Sequence, residues 1–95
     1  MEFEWDEDKR LANLAKHGLD FRRVKTIWDG NVIDPAATRL ETDETRYLAL
    51  GIPGEDEIVV AVVYTNRADN RRIISARRAR DYERKNYQIR FGRGR

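Results

Sequence analysis

Arginine dominates the side chains of this sequence that could take part in chemistry, and it is concentrated at the C-terminal end. Residues 71–95 contain nine arginines and carry 10 basic and 2 acidic side chains, whereas residues 1–70 carry 9 basic and 15 acidic ones. The formal net charge of +2 therefore hides an acidic segment followed by a strongly basic one. Because the guanidinium group binds phosphate oxygens in pairs, the basic segment predicts a polyanionic partner, either nucleic acid or an acidic protein.

Three arginines, Arg46, Arg72 and Arg77, predict a phosphate site. They fall on predicted strands of one sheet, and converging guanidinium groups could hold a phosphodiester and stabilise the extra charge of a pentacoordinate transition state. An unbroken strand places Arg71 in phase with Arg77 and Arg72 in phase with Arg78, so Arg72 and Arg77 share a face only if a bulge intervenes. Arginines that merely solvate an open sheet face are the other interpretation.

Proton transfer has three kinds of candidate in this sequence. His17 is the only histidine, and imidazole is suited to proton transfer near neutral pH. Its predicted position at the end of a helix favours a second interpretation, an interaction with the helix dipole. Lys9 and Lys16 could act as acids or phosphate ligands, and Glu83 could act as a base, although a Glu83–Arg84 pair on a helix is more often solvated.

Tyrosines 64 and 87 are candidates for stacking on bases or donating to phosphate. Tyr64 is as consistent with plain packing in the sheet, and Trp5 and Trp28 fall on predicted apolar faces that belong to the core. The sequence has no cysteine and no HExxH, P-loop or Gly-rich dinucleotide motif. No metal site and no cofactor are therefore expected.

The elements that must position these side chains follow from periodicity and capping residues. We predict a strand over 2–5, a helix capped by Asp6 and ended by Gly18, and a second helix that begins at Asp20 and stops at Asp29-Gly30. Alternation then predicts strands over 31–34, 46–52, 57–65 and 71–79, a polar loop over 36–44 and a last helix capped by Asp81.

This order predicts an α+β fold with a compact antiparallel sheet, two N-terminal helices on one face and a short C-terminal helix. The opposite face of the sheet is expected to be free for a site. Residues 1–88 are predicted to form one domain, and residues 89–95 a basic disordered tail. No apolar run approaches the length of about 18 residues that a transmembrane helix needs, so a cytoplasmic protein is expected.

One ordered set of residues is specific, although none of its motifs is strong alone. It comprises Phe3-Glu4-Trp5-Asp6, Lys9, Asn13, Lys16-His17-Gly18, Phe21, Arg46, Gly51, VVYT at 62–65, RIISAR at 72–77, Ala79, Glu83-Arg84 and Tyr87. The set, which extends over residues 3–87, resembles the BrnT toxins, small ribonuclease components of bacterial type II toxin–antitoxin systems.

The resemblance implies a RelE-type ribonuclease fold and RNA cleavage without metal, through the ribose 2′-hydroxyl. It also implies a BrnA-like antitoxin that neutralises the toxin and alone contacts operator DNA. Its polar matches are Lys9, Lys16, His17, Arg46, Arg72, Arg77, Glu83 and Tyr87, and it does not settle which is base or acid. Many relatives place an acidic residue where this chain has Asn66: activity is weakened here if that acid moves a proton, and is unaffected if the acid is structural.

The resulting hypothesis is a metal-independent endoribonuclease toxin. Its predicted catalytic residues are His17, Lys16, Arg46, Arg72, Arg77 and Glu83. Its predicted RNA-binding residues are Lys9, Arg71, Arg78, Tyr64 and Tyr87. Two alternatives use the same basic face, namely a non-catalytic module that binds RNA or an antitoxin, and a structural subunit that docks an acidic partner.

Overall fold

The chain begins with a short strand and two helical segments, in the order that the sequence predicts. The computed structural model describes residues 1–95. Strand β1 spans Glu2–Glu4, helix α1 spans Glu7–His17 and helix α2 spans Phe21–Val24. A 3₁₀ turn over Lys25–Asp29 continues α2, so the α-helical part of the second helix is shorter than predicted.

Capping residues fix the corner between α1 and α2. The Asp6 carboxylate accepts a hydrogen bond from the Lys9 backbone N–H, and Asp20 accepts one from the Arg22 backbone N–H. Gly18 ends α1 with a φ of 69°, a left-handed conformation that costs little without a side chain. These three predicted helix ends are confirmed, whereas the last helix is capped by Arg80 and not by Asp81, which is its first residue.

The remaining strands form a meander that α3 follows. The elements are β2 over Val32–Glu41, β3 over Glu44–Gly51, β4 over Val60–Arg67, β5 over Asn70–Arg78 and α3 over Asp81–Phe91. The strand order is β1-β5-β4-β3-β2; the four long strands pair antiparallel, while β1 pairs parallel with β5. The fold is α+β, but the sheet is mixed rather than antiparallel, because β1 takes the free edge of β5.

Strand β2 is longer than the sequence predicts. A strand over 31–34 was expected to end at Pro35, with a loop over 36–44, whereas β2 continues to Glu41. The pairing register shifts after Ile33, and β2 is an edge strand. An edge strand tolerates proline and polar side chains because one of its sides has no ladder partner.

The two faces of the sheet lie over separate cores. On one face, which we call the helix-packed face, strands β3 to β5 pack against the fully buried Phe21, Val24 and Ile27 of α2 and the 3₁₀ turn. The opposite face, which we call the cleft face, is covered at one end by α3, whose Tyr87 packs in a second cluster with Leu50. The expectation of a free opposite face is therefore wrong at that end.

The C-terminal segment folds back on the domain. Helix α3 continues into residues 89–95, and the Arg95 backbone exchanges hydrogen bonds with Glu57 and Val59. A side chain at Gly94 would place its Cβ 2.5 Å from Val59 Cγ2, so glycine permits the close approach. Residues 89–95 are thus in contact with the domain, whereas a basic disordered tail was predicted.

The helices are short. The longest contain 11 residues, and none combines the length and apolar character needed to cross a membrane.

Candidate active site

An open cleft of about 550 Å³ lies on the cleft face, between the sheet and the first turn of α3. Residues of β3, β4 and β5 form its floor, and β2 and α3 contribute its walls. The charged side chains that line it are Arg39, Arg46, Arg77, Arg80, Glu41 and Glu83. Because four arginines oppose two glutamates, the cleft is positively charged and is the candidate site.

A bulge in β5 turns Arg77 toward this cleft. Two consecutive residues of β4 pair with residues of β5 that are two positions apart, which leaves Ile74 without a partner. The unpaired residue shifts the alternation by one, so Arg77 shares a face with Arg72 and not with Arg71. The phase predicted from an unbroken strand is therefore wrong beyond Ile74, and the alternative with an intervening bulge is confirmed.

Glu83 holds the guanidinium group of Arg77 in the cleft. The two side chains form paired hydrogen bonds of 2.7 and 3.1 Å, and the same carboxylate accepts one of 2.8 Å from the Arg80 backbone N–H. Burial opposes ionisation of Glu83, which is 6% exposed, but the hydrogen bonds from Arg77 and Arg80 outweigh burial and lower its pKa. The same hydrogen bond raises the pKa of Arg77. Both groups are charged at neutral pH.

Arg46 reaches the cleft from β3 and is held less tightly. Its guanidinium lies 3.2 Å from the Glu44 carboxylate and 3.4 Å from that of Glu41, and 30% of the side chain is exposed. Arg39 lies opposite on β2, in direct register with Arg46, and is 80% exposed. Both arginines can bind an anion from solvent, because their acidic partners are themselves open to water.

Arg80 and Tyr82 at the start of α3 also line the cleft, although neither was among the predicted site residues. Helix α3 begins three residues after Arg78, so its first turn has to lie beside the end of β5. That short connection is the signal that could have found both residues. Arg39 and Glu41 were missed because residues 36–44 were predicted to be a loop.

Arg72 is the predicted phosphate ligand that does not line the cleft. It forms an ion pair of 2.7 Å with Glu4, and both side chains are slightly more than a quarter exposed. The pair joins β1 to β5 across the parallel ladder. Of the three arginines expected to converge, the structure brings together Arg46 and Arg77, while Arg72 stabilises the edge of the sheet.

Arg71, Tyr64 and Tyr87 are enclosed in the two cores. Arg71 forms an ion pair of 2.9 Å with Asp34 and lies 4.2 Å from the centre of the Tyr64 ring. Tyr64 and Tyr87 are 3% and 2% exposed, and burial raises the pKa of both hydroxyl groups. Neither ring has a face open to a base, and the Arg71 guanidinium is paired with Asp34. These three residues were predicted to bind RNA, but in the structure they stabilise the fold.

The predicted proton-transfer residues of α1 lie outside the cleft. His17, Lys16 and Lys9 are exposed, and none of them lines it. Arg78 and Asn66 are also exposed, at the ends of β5 and β4, and do not line it. The structure therefore does not bring the single histidine to the arginines.

The cleft has the groups needed to bind a phosphodiester and to stabilise negative charge on it. Guanidinium groups reach it from β2, β3, β5 and the start of α3, so donors approach from several directions. No group of three or more histidine, aspartate or glutamate side chains is placed to hold a metal ion. Charge stabilisation by arginine is the chemistry that these residues offer.

Comparison with known proteins identifies one family. A search of curated proteins finds no match. A family model described as the ribonuclease toxin BrnT of a type II toxin–antitoxin system matches residues 5–83, a span that contains all six charged residues of the cleft. Since the match covers well over half of the sequence, the chain belongs to the BrnT family of ribonuclease toxins of type II toxin–antitoxin systems.

Proposed function

We propose that this protein is a metal-independent endoribonuclease toxin whose active site is the basic cleft. Membership of a type II ribonuclease toxin family implies an RNA substrate and an antitoxin partner. The observation that carries the proposal is the arrangement of Arg46, Arg77 and Arg80 around one open cleft. These arginines would bind the phosphate of the bond that is cleaved.

In the proposed reaction, RNA supplies its own nucleophile. The ribose 2′-oxygen loses its proton and forms a bond to the adjacent phosphorus, while the bond from phosphorus to the 5′-oxygen breaks. The departing oxygen takes up a proton, so the products end in a 2′,3′-cyclic phosphate and a 5′-hydroxyl. Arg46 and Arg77 would lower the barrier by binding the extra negative charge of the pentacoordinate phosphorus.

The proton of the 2′-hydroxyl is assigned to a carboxylate of the cleft. The Glu41 side chain is 41% exposed and forms looser ion pairs of 3.5 Å with Arg39 and 3.4 Å with Arg46, whereas that of Glu83 is 6% exposed and lies 2.7 Å from Arg77. Glu41 is therefore the carboxylate that an RNA hydroxyl can reach, and Glu83 positions Arg77. His17 and Lys16 are given no step, because they lie outside the cleft.

Incubation of the purified protein with single-stranded RNA in excess EDTA tests this function. Wild-type protein should cleave, and Arg46→Ala should slow cleavage by about 100-fold, as expected when one donor of a preorganised site is lost. Arg67→Ala is the matched control, because Arg67 is an exposed arginine outside the cleft. Cleavage that EDTA abolishes would contradict metal independence, and equal rates for Arg46→Ala and wild type would contradict the site.

We further propose that the antitoxin is BrnA-like and that it, rather than the toxin, contacts operator DNA. The toxin itself is proposed to have a RelE-like fold and to act in the cytoplasm. Support comes from the family match and from the four antiparallel strands that follow two N-terminal helices. The toxin should arrest growth when expressed alone, and co-expression with the antitoxin should restore growth and yield a complex that binds operator DNA. DNA binding by the isolated toxin would contradict this division of roles.

A non-catalytic binding module is the second candidate function. It is favoured by one observation: no histidine lines the cleft, and both of its carboxylates are paired with arginine. A module would bind RNA with the same arginines but would leave it intact. If the wild-type protein binds RNA but does not cleave it, this alternative is established.

A further inference from the structure

Tyr82 is a large aromatic side chain left in solvent at the mouth of the cleft. It is 67% exposed in the first turn of α3, while the other tyrosine of that helix, Tyr87, is 2% exposed in the second core. The fold therefore does not need the Tyr82 ring for packing. Tyr82 lines the cleft together with Arg77 and Arg80, so its ring lies among the groups proposed to bind phosphate.

An exposed aromatic ring beside phosphate-binding arginines is the arrangement by which proteins bind single-stranded nucleic acid. Arginines bind the backbone, and a neighbouring ring stacks on a base whose faces are free. A base inside a duplex is already stacked on both sides and paired at its edge, so it cannot use such a ring without being displaced. The pairing of a ring with arginines thus favours unpaired RNA.

We propose that Tyr82 is the stacking platform for an unpaired base next to the phosphate held by Arg77 and Arg80, and that it makes the cleft selective for single-stranded RNA. This rests on the proposed function, because it adds a base subsite to the same cleft. The ring provides the interaction, so phenylalanine should replace tyrosine and alanine should not.

The hydroxyl group of Tyr82 offers a competing role, because a phenol could also donate a proton to the departing 5′-oxygen. The two roles differ in what they require. Stacking needs only the ring and affects binding, whereas proton donation needs the oxygen and affects the rate of the chemical step. Tyr82→Phe removes the oxygen and keeps the ring, so it separates the two roles.

Binding of a 2′-O-methyl RNA oligonucleotide, which lacks the attacking hydroxyl, tests stacking independently of cleavage. Fluorescence anisotropy should show single-strand binding by Tyr82→Phe equal to wild type and by Tyr82→Ala weaker by about tenfold, equivalent to about 1.4 kcal/mol. Duplex binding should be the same for all three proteins. Ile89→Ala is the matched control, since Ile89 is 87% exposed on the same helix but outside the cleft.

Unchanged single-strand binding by Tyr82→Ala, or an equal loss for duplex and single strand, would overturn the stacking role. Wild-type single-strand binding by Tyr82→Ala, together with a large loss of cleavage rate in Tyr82→Phe, would overturn it in favour of proton donation by the hydroxyl. Because binding is measured on RNA that cannot be cleaved, failure of the proposed nuclease activity would appear separately, as intact natural RNA after incubation with the wild-type protein.

Discussion

Arg77 is the side chain on which the candidate site depends most. It is 25% exposed, and Glu83 holds its guanidinium by two hydrogen bonds. Such a pair keeps the planar group in one orientation, so its remaining N–H donors point in fixed directions before RNA binds. Glu83 therefore acts through Arg77, and its removal should affect both the stability of the fold and the rate of cleavage.

Glu83→Gln should lower the free energy of unfolding by about 2 kcal/mol at pH 7, because hydrogen bonds to charged groups contribute about 1.5–3 kcal/mol. The pKa of Glu83 in the folded protein lies below the ordinary value of 4.5. The stabilisation of the fold by ionised Glu83 is therefore complete when the pH is above this ordinary pKa, and it is lost as the pH falls through the lowered pKa. Urea unfolding of both proteins at pH 7 and about pH 3 should show the difference shrinking in acid; an undiminished difference would contradict this role.

His17→Ala should leave the rate of RNA cleavage unchanged. His17 is exposed at the end of α1 and does not line the cleft, so it has no contact with the reacting phosphate. Single-turnover rates of the variant and the wild type measure this directly. A loss of about tenfold or more, with the fold intact by circular dichroism, would mean that α1 supplies a proton-transfer group after all.

Residue types predicted part of this site and strand register decided the rest. Arg46 and Arg77 were predicted because guanidinium groups on neighbouring strands suit phosphate. Whether an arginine of β5 lines the cleft depends on two further features. The bulge at Ile74 turns Arg77 toward the cleft, and Arg72 instead pairs with Glu4 of β1. Neither feature has a local signal in the sequence, because both arise from pairing between strands that are distant in the chain.

Among the helices and strands, features set by local chemistry agree with the sequence, apart from the cap predicted at Asp81, and features set by tertiary pairing do not. The caps at Asp6, Gly18 and Asp20 involve contacts within three residues or a local turn, and all three are confirmed. Two features depend instead on which strand edge is free. They are the parallel pairing of β1 with β5 and the extension of β2 past Pro35. Local propensity carries no information about free edges.

Gly51→Ala should destabilise the packing of the 3₁₀ turn on the sheet. A Cβ at Gly51 would lie 2.7 Å from the Cβ of Ile27, which is fully buried. Overpacking of this kind costs about 1–3 kcal/mol, so thermal unfolding should show a lower Tm than for wild type. Gly30→Ala is the control, because a Cβ there meets no atom within 4 Å. Equal Tm values for Gly51→Ala and Gly30→Ala would contradict the predicted clash.

Across the whole molecule, part of the positive charge of the C-terminal segment is taken up by ion pairs that stabilise the fold. Several C-terminal arginines pair with acids from the first 70 residues: Arg71 with Asp34, Arg72 with Glu4 and Arg95 with Glu57. The basic segment is therefore not wholly available to RNA. The cleft describes the RNA-binding surface better than the basic segment does, because it also contains Arg39 and Arg46 of the acidic segment.

Binding of single-stranded RNA should weaken with salt to an extent that reflects the cleft and not the full basic segment. If three or four arginines displace counterions, the logarithm of the binding constant should fall with the logarithm of salt concentration at a slope of about −2 to −3. Anisotropy titrations across about 50–300 mM KCl measure this slope. A slope of about −6 or steeper would mean that the other C-terminal arginines also contact the phosphate backbone.

The placement of RNA cleavage in the basic cleft is tested most sharply by the single-turnover rate at which Arg77→Ala cleaves single-stranded RNA in EDTA, compared with wild type and Arg67→Ala. Wild type and Arg67→Ala should cleave the RNA, and Arg77→Ala should cleave it at a rate at least about 100-fold lower. Circular dichroism must show the fold retained, and Arg46→Ala provides a second variant whose partners are exposed. Wild-type rates for both Arg77→Ala and Arg46→Ala would show that the cleft is not where RNA is cleaved.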